Sequence, residues 1–295
     1  MSRRNLLQGI SSEYRDFINN CEPEIVTAPR VEALLAAART YLAGDEGARD
    51  AADAVKTRVH LRNAAQTLLM RADWLGTDTR QSLLQFIAEQ PEFIGDGGYK
   101  FTYDSFSWNI EQWQRDLGHL AGQPGLSFLE VGSFEGKSAC WLLQNILTHE
   151  TSRMTCVDVF EEEKSQGLYD TTGLDSASMS RRDRFDHNIR QTGAAHRVET
   201  IVGRSQEVLR GLPLSCYGFI YIDGSHVASD VLTDIILAWQ LLKVGAIMTL
   251  DDYLWHDHPD PLSCPQIAID AFLSVFKGHY RVIHSGYQVT LEKLT

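Results

Sequence analysis

Phe219-Ile-Tyr-Ile-Asp-Gly-Ser-His226 and, one helix-length further on, Ala246-Ile-Met-Thr-Leu-Asp-Asp-Tyr253 decide how this chain folds. Each is an apolar run, β-branched or aromatic, that stops abruptly at carboxylates. Continuous apolar runs of this length read as strands of a parallel sheet covered on both faces. Asp223 and the Asp251-Asp252 pair then stand where two such strands end, and ligands of an open α/β sheet bind in the crevice beyond the carboxyl ends of the strands.

Working outward, the same alternation recurs. Strands are predicted at Leu126 to Val131, Met154 to Val159 and Val198 to Val202. Helices are predicted from about Gly136, from Arg181 to Gln191, near Ser205 to Arg210, over Val227 to Leu241 and near Gln266 to Phe276. Repeated βα units predict an α/β fold with a doubly wound, Rossmann-like, mostly parallel sheet. Tyr280 to His284 and Tyr287 to Leu291, joined by Ser285-Gly286, read as an antiparallel hairpin closing it. Residues 1–98 are predicted as a helical N-terminal region, from stretches such as Val31-Glu-Ala-Leu-Leu-Ala-Ala-Ala-Arg39, and residues 99–295 as the sheet domain. The helical region is expected to serve as lid, substrate wall or oligomer contact, so a homo-oligomer stays open.

The composition, 43% apolar and 22% charged, is that of an ordinary globular protein, and the net charge of −12 argues against nucleic acid or an anionic membrane as partner. Five scattered cysteines without a CxxC pair fit reduced thiols rather than a disulfide framework. The start of the chain lacks the apolar core of a signal peptide, and no apolar stretch reaches the ~20 residues of a membrane span. A cytoplasmic location and a small-molecule substrate are the expectation.

Phe128-Leu-Glu-Val-Gly-Ser-Phe-Glu-Gly-Lys-Ser138 is a strand, a glycine turn and a helix start. A dinucleotide fingerprint needs GxGxxG. Here only Gly132 and Gly136 are present and Glu130 lies inside the motif, which points to a ligand with positive charge and hydroxyls. Asp158 ends the next strand, where an acidic residue accepts ribose hydroxyls. Gly203 leaves the third strand, and Ser205 or Gln206 is placed to meet an adenine edge. At the reactive end, Asp223, Asp251 and Asp252 repel one another, a conflict that a hard divalent cation resolves. His226, with an ordinary pKa near ~6.5, suits a general base.

Together these segments resemble class I S-adenosylmethionine-dependent methyltransferases, over about residues 100–292. They are most similar to the metal-dependent O-methyltransferases that decorate sugars of macrolide and aminocoumarin natural products. The resemblance implies that Glu130 and Gly132, with Ser133 and Ser138 of the same turn, hold the methionine end of S-adenosylmethionine. It implies Asp158 at the ribose, Gly203 and Ser205 near the adenine, Asp223, Asp251 and Asp252 as ligands of Mg²⁺, and His226 as general base. The function so implied is O-methylation of a sugar, vicinal diol or catechol. Alternatives are a metal-independent N-methyltransferase acting on a small amine and an oxygenase-like relative, although iron favours two histidines with one carboxylate. Trp255-His-Asp-His258 is expected as a loop over the site, and the long connection after Asp158 as a lid.

Overall fold

The structure, a computed structural model, describes residues 22–43, 61–65, 68–69, 72–89, 98–101, 104–160, 179–255 and 260–295. The expected lid after Asp158 and the pair His256 and His258 lie outside them. The chain divides into two compact units, Met1–Glu111 with Glu162–Arg184, and Gln112–Glu161 with Phe185–Thr295. The first unit therefore runs beyond residue 98.

Within the first unit, helix α1 (Ala28–Leu42) begins with Pro29 in its first turn, where a missing N–H costs nothing. Val31, Leu34, Leu35 and Ala38 recur at helical spacing, and all are buried. They join Leu61, Leu68, Leu83 and Phe86 in a hydrophobic core of this unit's own. Leu83 and Phe86 come from α2 (Thr77–Glu89).

Among the described residues, the second unit is built on seven strands: β1 (Ser127–Val131), β2 (Arg153–Asp158), β3 (Val198–Val202), β4 (Tyr217–Ile222), β5 (Leu242–Leu250), β6 (Tyr280–Ser285) and β7 (Val289–Lys293). Their order across the sheet is β3-β2-β1-β4-β5-β7-β6. The first five are parallel, and β7 runs antiparallel to both β5 and β6. The mostly parallel, Rossmann-like sheet with its antiparallel closing hairpin thus matches the expectation. Helices α3 (Ile110–Leu117), α4 (Lys137–Asn145), α5 (Arg181–Gln191), α6 (Ser205–Val208), α7 (Ala228–Leu241) and α8 (Pro265–Val275) flank and connect the strands.

β4 shows why its run is apolar without alternation. Phe219 and Tyr221 meet the edge of Trp113 from α3, with ring centroids 5.5 and 4.8 Å away. Ile220 and Ile222 enter the opposite core, with Val231, Ile235 and Trp239 of α7. Covered on both faces, the strand has no position for a solvated side chain until it ends.

Register then sets the site. Val131 pairs with Ile222, and Ile222 with Leu250, so β1, β4 and β5 end level with one another. Leu250 also pairs with Val289, which brings the turn between β6 and β7 beside Asp251-Asp252. Among the described residues, no helix is long and apolar enough to cross a membrane.

Candidate active site

Glu130 is the third position from the β1–α4 turn and is fully buried. Its carboxylate accepts a hydrogen bond from Ser138 Oγ at the start of α4, and Cys156 Sγ lies 3.7 Å from its second oxygen. Burial raises its pKa to about 7. Gly132 follows in the left-handed region, with φ +86°. A Cβ there would sit 1.8 Å from the carbonyl oxygen of Asp223, so the neighbouring β4 turn occupies the room that the glycine leaves. Ser133 Oγ is buried and lies by the Glu130 carboxyl, where it works against the effect of burial. Gly136 caps α4 with φ +80°, and Phe185 packs where its Cβ would be.

Asp158, at the end of β2, accepts from the backbone N–H of Phe134 at 2.8 Å and of Phe160 at 2.6 Å. Both phenylalanines hold positive φ, near +47° and +49°. One carboxylate thus fixes two strained turns on either side of the crevice. Gly203 donates its N–H to the Asp158 carbonyl at 3.1 Å, and Ser205 Oγ donates to Asp234 Oδ2 at 2.8 Å. Asp234 lies fully buried on α7, and burial raises its pKa to about 6.

The reactive end centres on Tyr221. Its buried hydroxyl contacts Asp223 Oδ2 at 3.0 Å and Asp251 Oδ2 more closely still. Gln288, fully buried, donates to Asp251 Oδ1 at 3.1 Å and accepts from Trp113 Nε1 at 2.8 Å. Burial, followed by the charges of Asp251 and Asp252, pushes the Asp223 carboxyl well above the usual range. Burial and Asp252 raise Asp251 to about 7. Asp252 faces the other way. Its Oδ2 lies 2.7 Å from His226 Nε2, and its Oδ1 accepts from the Tyr287 hydroxyl at 2.8 Å. The His226 ring stacks on Trp255, with centroids 4.4 Å apart and planes 14° from parallel.

A family described as a methyltransferase domain matches residues 129–253, from β1 through the end of β5, and so includes every carboxylate at the strand ends. Residues 129–253 are a methyltransferase domain. No curated protein sequence matches the chain. Among solved structures, the methyltransferase is similar to the O-methyltransferase NovP, at 19% identity over 63% of this chain and 78% of that one, with TM-score 0.45. It is also similar to the O-methyltransferase TomG from Streptomyces achromogenes, at 19% identity over 57% and 73%, with TM-score 0.39. An rRNA methylase from Streptococcus thermophilus matches at 12% identity over 63% and 96%, with TM-score 0.44. Likeness at this level says nothing of the acceptor.

The methyltransferase domain brings the sequence-predicted residues to the level strand ends in two groups. Glu130, Gly132, Ser133 and Ser138 meet at the β1–α4 turn, with Asp158 beside them. Asp223, Asp251, Asp252 and His226 meet at the ends of β4 and β5. Ser205 directs its hydroxyl proton to Asp234 rather than outward. The two members of the Asp251-Asp252 pair separate in role: Asp251 points into the buried network, its Oδ1 also accepting from the Asp252 N–H, and Asp252 pairs with His226. Among the described residues, no group of three or more His, Cys, Asp or Glu side chains is placed as a metal-ligand set. Tyr221, Gln288 and Tyr287, which organise the cluster, carry no motif of their own.

Proposed function

We propose that this methyltransferase methylates a hydroxyl of a small molecule bearing neighbouring oxygens, such as a sugar, vicinal diol or catechol, with His226 as general base. The observation that carries the reading is the 2.7 Å pairing of His226 Nε2 with Asp252 Oδ2 at the level ends of β4 and β5. A carboxylate at one ring nitrogen fixes the imidazole's orientation and tautomer and stabilises the cation formed when the ring takes a proton.

The β1–α4 turn fits S-adenosylmethionine. Ser133 supplies a buried hydroxyl, Glu130 a carboxylate whose charge a cationic ligand would relieve, and Asp158 lone pairs for ribose hydroxyls. Bound there, the cofactor would supply an electrophilic methyl group on a sulfonium, the C–S bonding pair leaving with sulfur. His226 removes the hydroxyl proton of the acceptor, so that an oxygen lone pair is available for that bond. Holding acceptor and methyl donor together contributes on the order of 7–11 kcal/mol by proximity alone.

The donor chemistry of the cluster also suits Mg²⁺. Asp223 and Asp251 approach one phenol oxygen, and repulsion among the carboxylates is a cause of their raised pKa values. Asp223, Asp251 and Asp252 would hold the ion, which lowers the pKa of a coordinated hydroxyl. As they stand, the side chains do not converge on one point: binding would require Tyr221 to release Asp223 and Asp251, and Asp252 to share an oxygen now held by His226 or Tyr287.

The test is turnover of a panel of catechols, sugars and vicinal diols with S-adenosylmethionine. His226→Ala is expected to lower it roughly 10²–10⁴-fold, the range of a lost general base. An unchanged rate would remove His226 from the chemistry.

A further inference from the structure

We infer that Tyr287, in the turn between β6 and β7, is a positioning residue that holds Asp252 against His226. The inference rests on the reading of His226 as general base. It extends the reactive centre beyond the methyltransferase match, which ends at residue 253, into the closing hairpin.

Asp252 has φ +58°, a left-handed conformation uncommon outside glycine, though aspartate tolerates it better than most residues. Three contacts keep it there. Its N–H donates to Asp251 Oδ1 at 2.8 Å, its Oδ2 faces His226 Nε2 at 2.7 Å, and its Oδ1 accepts from the Tyr287 hydroxyl at 2.8 Å. The first fixes the backbone and leaves the carboxylate free to rotate. The last fixes one carboxylate oxygen, and with it the direction of the other.

Tyr287 is itself anchored. Its carbonyl accepts from the N–H of Tyr253 at 2.9 Å, and Val289, two residues on, pairs with Leu250. The segment carrying Asp252 and the turn carrying Tyr287 are thus tied through backbone as well as side chain. Tyr287, Asp252 and His226 form a hydrogen-bonded row in which the phenol orients the carboxylate and the carboxylate orients the imidazole. A hydrogen bond to a charged group is among the stronger kinds, and losing one costs most where it fixes geometry.

The test is a double-mutant cycle on the full chain, with kcat and KM measured on the best acceptor of the catechol, sugar and diol panel. Tyr287→Phe is expected to lower kcat roughly ten-fold in an otherwise native chain, with the Kd for S-adenosylmethionine unchanged by calorimetry, and to have no further effect in a His226→Ala background. An equal loss in both backgrounds would show a structural role and overturn the inference. So would a native kcat for Tyr287→Phe while His226→Ala is impaired. If His226→Ala is unimpaired, it is the base reading that fails. A proton spectrum then reads the row without turnover: a downfield imidazole N–H resonance, assigned by its loss in His226→Gln, is expected to disappear in Tyr287→Phe. Its persistence there, or its absence from the native protein, would contradict the inference.

Discussion

Gln288 Nε2 lies 3.3 Å from the Tyr221 hydroxyl and donates to it, so the phenol's own proton points toward the carboxylates of Asp223 and Asp251. The Gln288 amide is oriented in turn by Trp113, whose indole N–H donates to the glutamine oxygen at 2.8 Å. A tryptophan on α3 thereby determines which way a tyrosine on β4 faces its neighbours.

Replacing Gln288 by Leu keeps the volume and removes every polar contact. The Trp113 N–H would be left buried and unpaired, at about 1–3 kcal/mol, whereas Asp251 Oδ1 keeps the Asp252 N–H. A loss of about 1–3 kcal/mol in urea unfolding is expected. A loss below about 0.5 kcal/mol would mean that water replaces the amide.

Gly132 answers to its protein neighbour. Since a Cβ would meet the Asp223 carbonyl at 1.8 Å, and φ +86° disfavours any side chain, Gly132→Ala cannot keep both turns in place. Thermal unfolding is expected to show a loss of more than about 3 kcal/mol, at the severe end for single substitutions. A near-native Tm would show that the β1 and β4 turns separate at little cost.

Glu130 gives the pH dependence a sign. Its folded-state pKa is raised from 4.5 to about 7 by burial, so the folded chain holds the proton longer than the unfolded one. Its contribution is fully present below about pH 4.5 and is lost as pH rises through about 7, a difference of about 3 kcal/mol. A cationic ligand reverses the preference, because it favours the ionised carboxylate. Calorimetric affinity for S-adenosylmethionine is therefore expected to rise with pH up to about 7 and then level off. Glu130→Gln should flatten both profiles, and a native-like slope in that variant would assign the pH dependence elsewhere.

Metal removal probes the other end of the crevice. EDTA is expected to lower turnover, and added Mg²⁺ to restore it. Asp223→Ala and Asp252→Ala should abolish the metal-dependent part while cofactor binding survives, because Asp158 and Glu130 stand in the other group. Full turnover in EDTA would leave His226 as base without a cation.

The strand-end carboxylates and the glycine turn were legible in the sequence because each signal is local. An apolar run stopped by aspartate, or a glycine between strand and helix, is visible within ten residues. What the sequence leaves hidden depends on pairings between distant segments. Tyr221 and Gln288 are 67 residues apart, and only the β5–β7 register brings them together. By local sequence Tyr221 is one more aromatic in a buried strand, and Gln288 a polar residue in a hairpin. The division of labour between Asp251 and Asp252 was equally hidden, since it follows from the left-handed backbone at the second of them. The direction of Ser205 depended on Asp234, a carboxylate within a helix that offered no motif.

The most direct measurement is to follow labelled methyl from S-adenosylmethionine onto a catechol and diol panel with Mg²⁺ present, comparing the native chain with His226→Ala, and to identify the product's methylated atom. A methyl ether formed by the native chain, at a rate roughly 10²–10⁴-fold lower in the variant, is the expected result. Methylation on nitrogen, or equal rates for the two proteins, would contradict it.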